Sequence, residues 1–287
     1  MADLKFLKRI GYSEIDTLAN DDSAFFYESG MMIDADGAYH AYHPDGRSGV
    51  DYLSNAGRPG NWWALVTDTG EANGTPLVQT EADPAPGFYI STTSLEDPNY
   101  DRKDPRRYVN AEAVNFIVLP GRLGLGAKLG DLAVVIRPAT GPYGYAVYAD
   151  VGPVNQIGEG SIALAAALGI PSSPKSGGIA HGIVYIVFPG SAQGWPLSKS
   201  EIDQYAAGLF STWGGIDKAK DCFAQLEWIN RPRKSQRRAP RLGNHRRQSQ
   251  QSRMELGLRR GDRSRRTNNL DCGSASQRRK AFRRTCR

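Results

Sequence analysis

Two carboxylates, Asp150 and Glu159, stand close together in YGYAVYADVGPVNQIGEGSIALAAALGI, residues 143–170. Residues 143–148 alternate in polarity and predict a strand with one face buried. Asp150 falls where that strand gives out, and Gly152-Pro153 turns the chain. Glu159 then opens a segment of helical period through Ile162, Ala165 and Ala166, with Gly169 as its stop and Pro171 beyond. One carboxylate is expected to end a strand and the other to begin a helix, and the stiff loop between them brings both to one mouth. A helix N-terminus keeps a carboxylate ionised. The rim of an apolar barrel desolvates one and raises its pKa. Two carboxyls pushed apart in this way suit acid/base work, and glycoside hydrolysis uses such a pair. The bland reading is a turn cap and an ordinary first-turn acid, since two acids at one spacing are a weak signal.

The elements that must position this pair are largely β. Asp34-Ala35-Asp36-Gly37 between residues 25–32 and 38–42 has the pattern of a hairpin turn, and there both Asp residues can be turn formers only. Residues 61–67 read as a strand, so Trp62 and Trp63 face opposite sides: one belongs to the core, and the other is free to stack on a sugar ring. Further strands are expected at 88–95, 114–119 and 131–137. Residues 183–188, IVYIVF, read as a strand buried on both faces, and His181 lies just before it. GRLGLG at 121–126 lacks the Lys and the following helix of a phosphate loop. His40 and His43 have no further ligands at metal-binding spacing. Ser198 to Glu201 fits a capping box opening a helix to about Trp213. The pattern favours a mainly β fold, a closed β-barrel or sandwich with one internal helix and a C-terminal helical appendage. The expected organisation is an N-terminal arm or short helix (1–24), a catalytic barrel domain (25–192), a helical appendage (193–230) and a basic tail (231–287) whose composition predicts disorder.

The charge is split along the chain. Of 36 Lys and Arg, 20 fall in residues 231–287, against 3 of the 30 Asp and Glu. That leaves 16 basic and 27 acidic residues before the tail, a net of about −11 by formal charge. An acidic body attracts cationic ligands, and the basic tail is the one part suited to nucleic acid. The three cysteines all lie at or beyond residue 222, so no disulfide framework is expected in the body. No apolar run reaches transmembrane length, and no leader is visible at the N-terminus. No metal or cofactor is expected, and the chain is expected to be monomeric.

Four segments in order, IDADGA (33–38), LGDLAVVI (129–136), the 143–170 stretch and GIVYIVFPG (182–190), resemble the fungal-type chitosanases of glycoside hydrolase family 75. The resemblance spans residues 25–190. It implies endo-hydrolysis of chitosan, a β-1,4-linked glucosamine polymer, with inversion, on a barrel of double-psi type. It places the two essential carboxylates on Asp150 and Glu159. Ala35 stands where many members are expected to have Cys. Family members are exported, so secretion is what the resemblance implies. Chitosan is cationic in mildly acidic water, which fits the acidic body. In an inverting enzyme the carboxyls stand about 6.5–9.5 Å apart. The barrel-rim and helix-dipole arguments make Asp150 the acid and Glu159 the base, and a pKa of Asp150 below that of Glu159 reverses them. Asp34, Asp36, Trp62, Trp63, Tyr148 and His181 are the expected substrate contacts. The rival readings are a peptidoglycan-acting glycosidase, a non-catalytic carbohydrate-binding barrel, and a nucleic-acid binder acting through the tail.

Overall fold

The computed structural model describes residues 2–194 and 197–229. In chain order its strands are β1 (Leu4–Ile10), β2 (Ser13–Leu18), β3 (Asp21–Asp34), β4 (Gly57–Arg58), β5 (Asn61–Trp62), β6 (Phe116–Pro120), β7 (Leu132–Ile136), β8 (Tyr143–Gly152), β9 (Glu159–Ser161) and β10 (Ile179–Phe188). Its helices are α1 (Ile162–Ala167), α2 (Lys199–Trp213) and α3 (Gly215–Cys222). The basic tail, residues 231–287, lies outside the described residues.

Strands β6, β7 and the second half of β10 are apolar without alternation and fully buried. Such strands need cover on both faces, so successive residues serve different cores. Ile117, Leu119, Ala133, Val135, Tyr185 and Val187 meet in one cluster. Their neighbours Phe116, Val118 and Leu132 join a second, and Val134, Ile136, Val184 and Ile186 a third. The first cluster is the inside of a barrel. Strands β3, β10, β7, β8, β6 and β9 hydrogen-bond in that order, and β9 pairs back onto β3, closing six strands. Tyr27 and Tyr185 stack inside it, ring centroids 4.8 Å apart.

The second cluster is the outer face of β6 and β8 under the long excursion between β3 and β6, residues 35–115. Small residues allow that close cover: Ala35, Ala38, Ala41, Ala56, Ala64 and Ala111 are all buried against the strands. The hairpin expected at 34–37 does not form. β3 stops at Asp34, and residues 38–42 form turns and bends whose alanines are buried against the outer face of the barrel. Nor are 61–67 and 88–95 full strands: beyond β5 they contribute single bridges such as Leu65 to Ser91. The third cluster lies under α2 and α3. Ser198 caps α2 with the expected box, and Gly214, at φ 117, ends it. Residues 1–24, read as an arm or short helix, instead supply β1, β2 and the start of β3, which add a hairpin to the barrel sheet.

Candidate active site

The site is laid out by the pairing of the closing strand. β9 is only three residues long and lies between β3 and β6. Glu159 pairs with Met32 on one side and Val118 on the other. Val118 in turn pairs with Asp150 across β6 and β8. Paired residues point to the same face of a sheet. Met32, Glu159, Val118 and Asp150 therefore form one row, and all four line a groove of about 750 Å³. Asp150 and Glu159 flank Val118, two strand spacings apart, about 9–10 Å between their backbones.

Strand alternation alone would not put Asp150 there. Tyr148 pairs with Ile117 and points into the barrel, and two residues on Asp150 would do the same. The register slips by one residue between Ile117 and Val118. A β-bulge re-aims the side chains that follow it, and this one turns Asp150 out to the face of Val118. There Asp150 Oδ1 accepts three hydrogen bonds, from Ser94 N–H (2.8 Å), Ser94 Oγ–H (2.5 Å) and Val151 N–H (2.9 Å). Burial raises its pKa, and the Ser94 and Val151 donors oppose that rise.

Glu159 is placed differently from the expectation. It does not begin a helix: α1 starts at Ile162, and Ser161 is its cap, accepting from Leu164 N–H. The dipole argument for an ionised Glu159 therefore fails. Burial, then the fields of Asp150 and Asp51, push its carboxyl up to about 7. The two environments thus differ from the expectation: burial raises both carboxyls, Glu159 up to about 7, and Asp150 alone has donors to its charged form.

Two more acids crowd the same mouth. Asp34 Oδ1 accepts Asp36 N–H (2.7 Å), and Asp36 Oδ1 accepts the Tyr42 hydroxyl (2.6 Å). One oxygen each from Asp34, Asp36 and Asp150 lie within 4.8 Å of one another. Burial, then the neighbouring carboxylates, raise the pKa values of Asp34 and Asp36. Such a trio can share protons, or hold a hard cation or an ammonium group. Asp51 joins the lining and is held by Tyr52 N–H (2.7 Å) and Asn55 Nδ2 (2.9 Å to each oxygen). Among the described residues the lining has five carboxylates and no lysine or arginine. Lys175 is not part of the lining, and its Nζ donates to the carbonyls of Arg47 (2.8 Å) and Gly49 (2.6 Å).

The other expected contacts divide. Trp63 is 58 % exposed, its Nε1–H donating to Asn55 O (2.9 Å). It stands between the groove and an adjoining depression of about 450 Å³. Trp62 is half-buried against the outer core and lines only that depression. Tyr148 is no stacking platform: it is buried inside the barrel, on the side opposite the one to which the bulge sends Asp150. His181 is exposed but lines a separate, smaller depression. Sequence reasoning missed Tyr42, Asp51, Asn55 and Ser94. Ser94 is 56 positions from the carboxylate that it holds, and no spacing signal exists for such a contact.

The raised Glu159 carboxyl has a stability consequence. Its folded pKa lies above its unfolded one, so the folded state binds the extra proton. The contribution is full below the ordinary glutamate value and is lost as pH rises through about 7. Glu159→Gln is expected to melt about 5 °C or more above the wild type near pH 8 and to converge with it near pH 4. Thermal melts across that range check this, and a constant offset would contradict it.

A search of curated proteins finds no match to this chain. A family model does match, and it covers Ser94, Val118, Asp150 and Glu159, while Asp34, Asp36 and Trp63 precede the matched span. Residues 92–213 match the family described as fungal chitosanase of glycosyl hydrolase group 75, the glycoside hydrolase family that the sequence motifs resemble.

Proposed function

We propose that the chain is an endo-acting chitosanase that cleaves β-1,4-glucosamine linkages with inversion, Glu159 serving as general acid and Asp150 as general base. The observation that carries this reading is the row Glu159–Val118–Asp150 lining one groove, with three donors on the Asp150 carboxyl at one end of it. Glu159, protonated up to about pH 7, gives its proton to the glycosidic oxygen as the bond from the anomeric carbon breaks. A water on the opposite face attacks that carbon and loses its proton to Asp150. Oδ1 of Asp150 is taken up by its three donors, so Oδ2 is the oxygen that receives it. Two strand spacings, with Val118 between, leave room between the two backbones for that water.

The lining supports a cationic substrate. Five carboxylates without a basic partner disfavour one another, and an ammonium group relieves that repulsion. Asp34 and Asp36 are the pair placed to receive the glucosamine amine beside Asp150. Trp63, with its ring fixed by Asn55, offers a face to a sugar.

Reducing-end release from soluble chitosan tests the reading, with chitin and cell wall as comparison substrates. Asp150→Asn and Glu159→Gln are each expected to lose about two to four orders of magnitude in kcat. Substantial activity left in either, or equal action on all three polymers, would overturn it. A separate prediction concerns Ser94. Removing its hydroxyl takes a donor from ionised Asp150 and raises that pKa, so the base stays protonated over a wider acid range. In Ser94→Ala the acidic limb of the kcat/KM–pH profile should move to higher pH while the alkaline limb, set by Glu159, stays. An acidic limb that does not move would exclude Asp150 as the base.

A further inference from the structure

A smaller depression, about 230 Å³, opens beside the carboxylate groove, and Gln156 lines both. One wall is the β1–β2 turn. Ile10 and Ser13 pair, leaving Gly11 and Tyr12 as a two-residue loop. Gly11, at φ 56, takes the left-handed conformation that such tight hairpins use. The turn holds Tyr12 entirely clear of the protein, at 104 % exposure. A second wall is the start of β10. Its register with β3 slips between Ile179 and Ile183, and that bulge presents His181 to the depression. Glu28 lines it from β3, accepting Gly182 N–H. Asn155 lines it from the loop before β9.

An unpacked aromatic ring beside a carboxylate, an imidazole and an amide is suited to a sugar. The ring stacks on the C–H face, and the polar groups take hydroxyls and an amine. β3 runs from this depression to the catalytic mouth. Glu28 and Asp34 are six positions apart, about 20 Å of extended strand. A linear polymer leaving the carboxylates past Gln156 would arrive here.

We infer that the depression holding Tyr12, Glu28, Asn155 and His181 is a remote subsite that grips a cationic polysaccharide several units away from the bond being cleaved. This rests on the chitosanase reading of the groove. The test compares kcat/KM on chitosan polymer with kcat/KM on a glucosamine tetramer, too short to span both places. In Tyr12→Ala the polymer-to-tetramer ratio is expected to fall about three- to tenfold. Tyr12→Phe, which keeps the ring, should restore the ratio. A ratio unchanged in Tyr12→Ala, with the wild type active, would overturn the subsite alone. A wild type inactive on both substrates would remove the chitosanase reading and the subsite with it.

Discussion

Closure of the barrel by a three-residue strand is the constraint on which the site depends. β9 hydrogen-bonds to β3 on one side and β6 on the other, and without it β3 and β6 would be open edges. Its residues, Glu-Gly-Ser, have little strand propensity of their own. Packing supplies the reason that they pair. Gly160 lies over Leu164, and an added Cβ there would stand 3.0 Å from that side chain. Ser161 Oγ donates to Val114 O (2.8 Å) and accepts from Phe116 N–H (3.1 Å), tying strand and helix cap to β6. Glu159 is therefore fixed by the barrel's own seam. The distance across Val118 to Asp150 is set by strand spacing, which the backbone holds more rigidly than a loop would.

That rigidity bears on the electrostatics. Four raised carboxylic acids in one mouth, Asp34, Asp36, Asp150 and Glu159, oppose folding at neutral pH. The fold tolerates them because apolar clusters cover both faces of the strands, one inside the barrel and two on its outer face that share Tyr145 and Leu209. A buried acid is not by itself part of this cluster. Asp131 is fully buried, yet its two oxygens accept the backbone N–H groups of Lys128, Gly190 and Ala192, and it serves as a local brace. Asp150 shares the backbone-donor motif, but its donors all fall on Oδ1, and among the described residues Oδ2 accepts none. The Glu159 carboxyl accepts no hydrogen bond among the described residues, which leaves burial and neighbouring charge to set its pKa.

The sequence showed the parts whose signal is local. Continuous apolar runs marked β6, β7 and β10, Ser198 and Glu201 marked the start of α2, and Gly169, at φ 65, stands just past α1 as its stop. What it hid depends on contacts far along the chain. β9 exists because two distant strands flank it. Residues 38–42, 61–67 and 88–95 read as strands because apolar and aromatic residues recur in them, but beyond β5 they pack on the barrel as turns and single bridges. A one-residue bulge reversed the facing of Tyr148 and Asp150, and no periodicity encodes such a slip. The dipole expected to keep Glu159 ionised is missing for a related reason: Ser161, two residues past Glu159, is the cap of α1.

The central claim is that Glu159 holds its proton at a pH where Asp150 has given its own up. Site-resolved carbon NMR titration of the two side-chain carboxyls in the full chain measures this directly. The account predicts that Glu159 titrates near 7 and Asp150 below it. An Asp150 carboxyl that titrates above Glu159 would contradict the division of roles on which the mechanism stands.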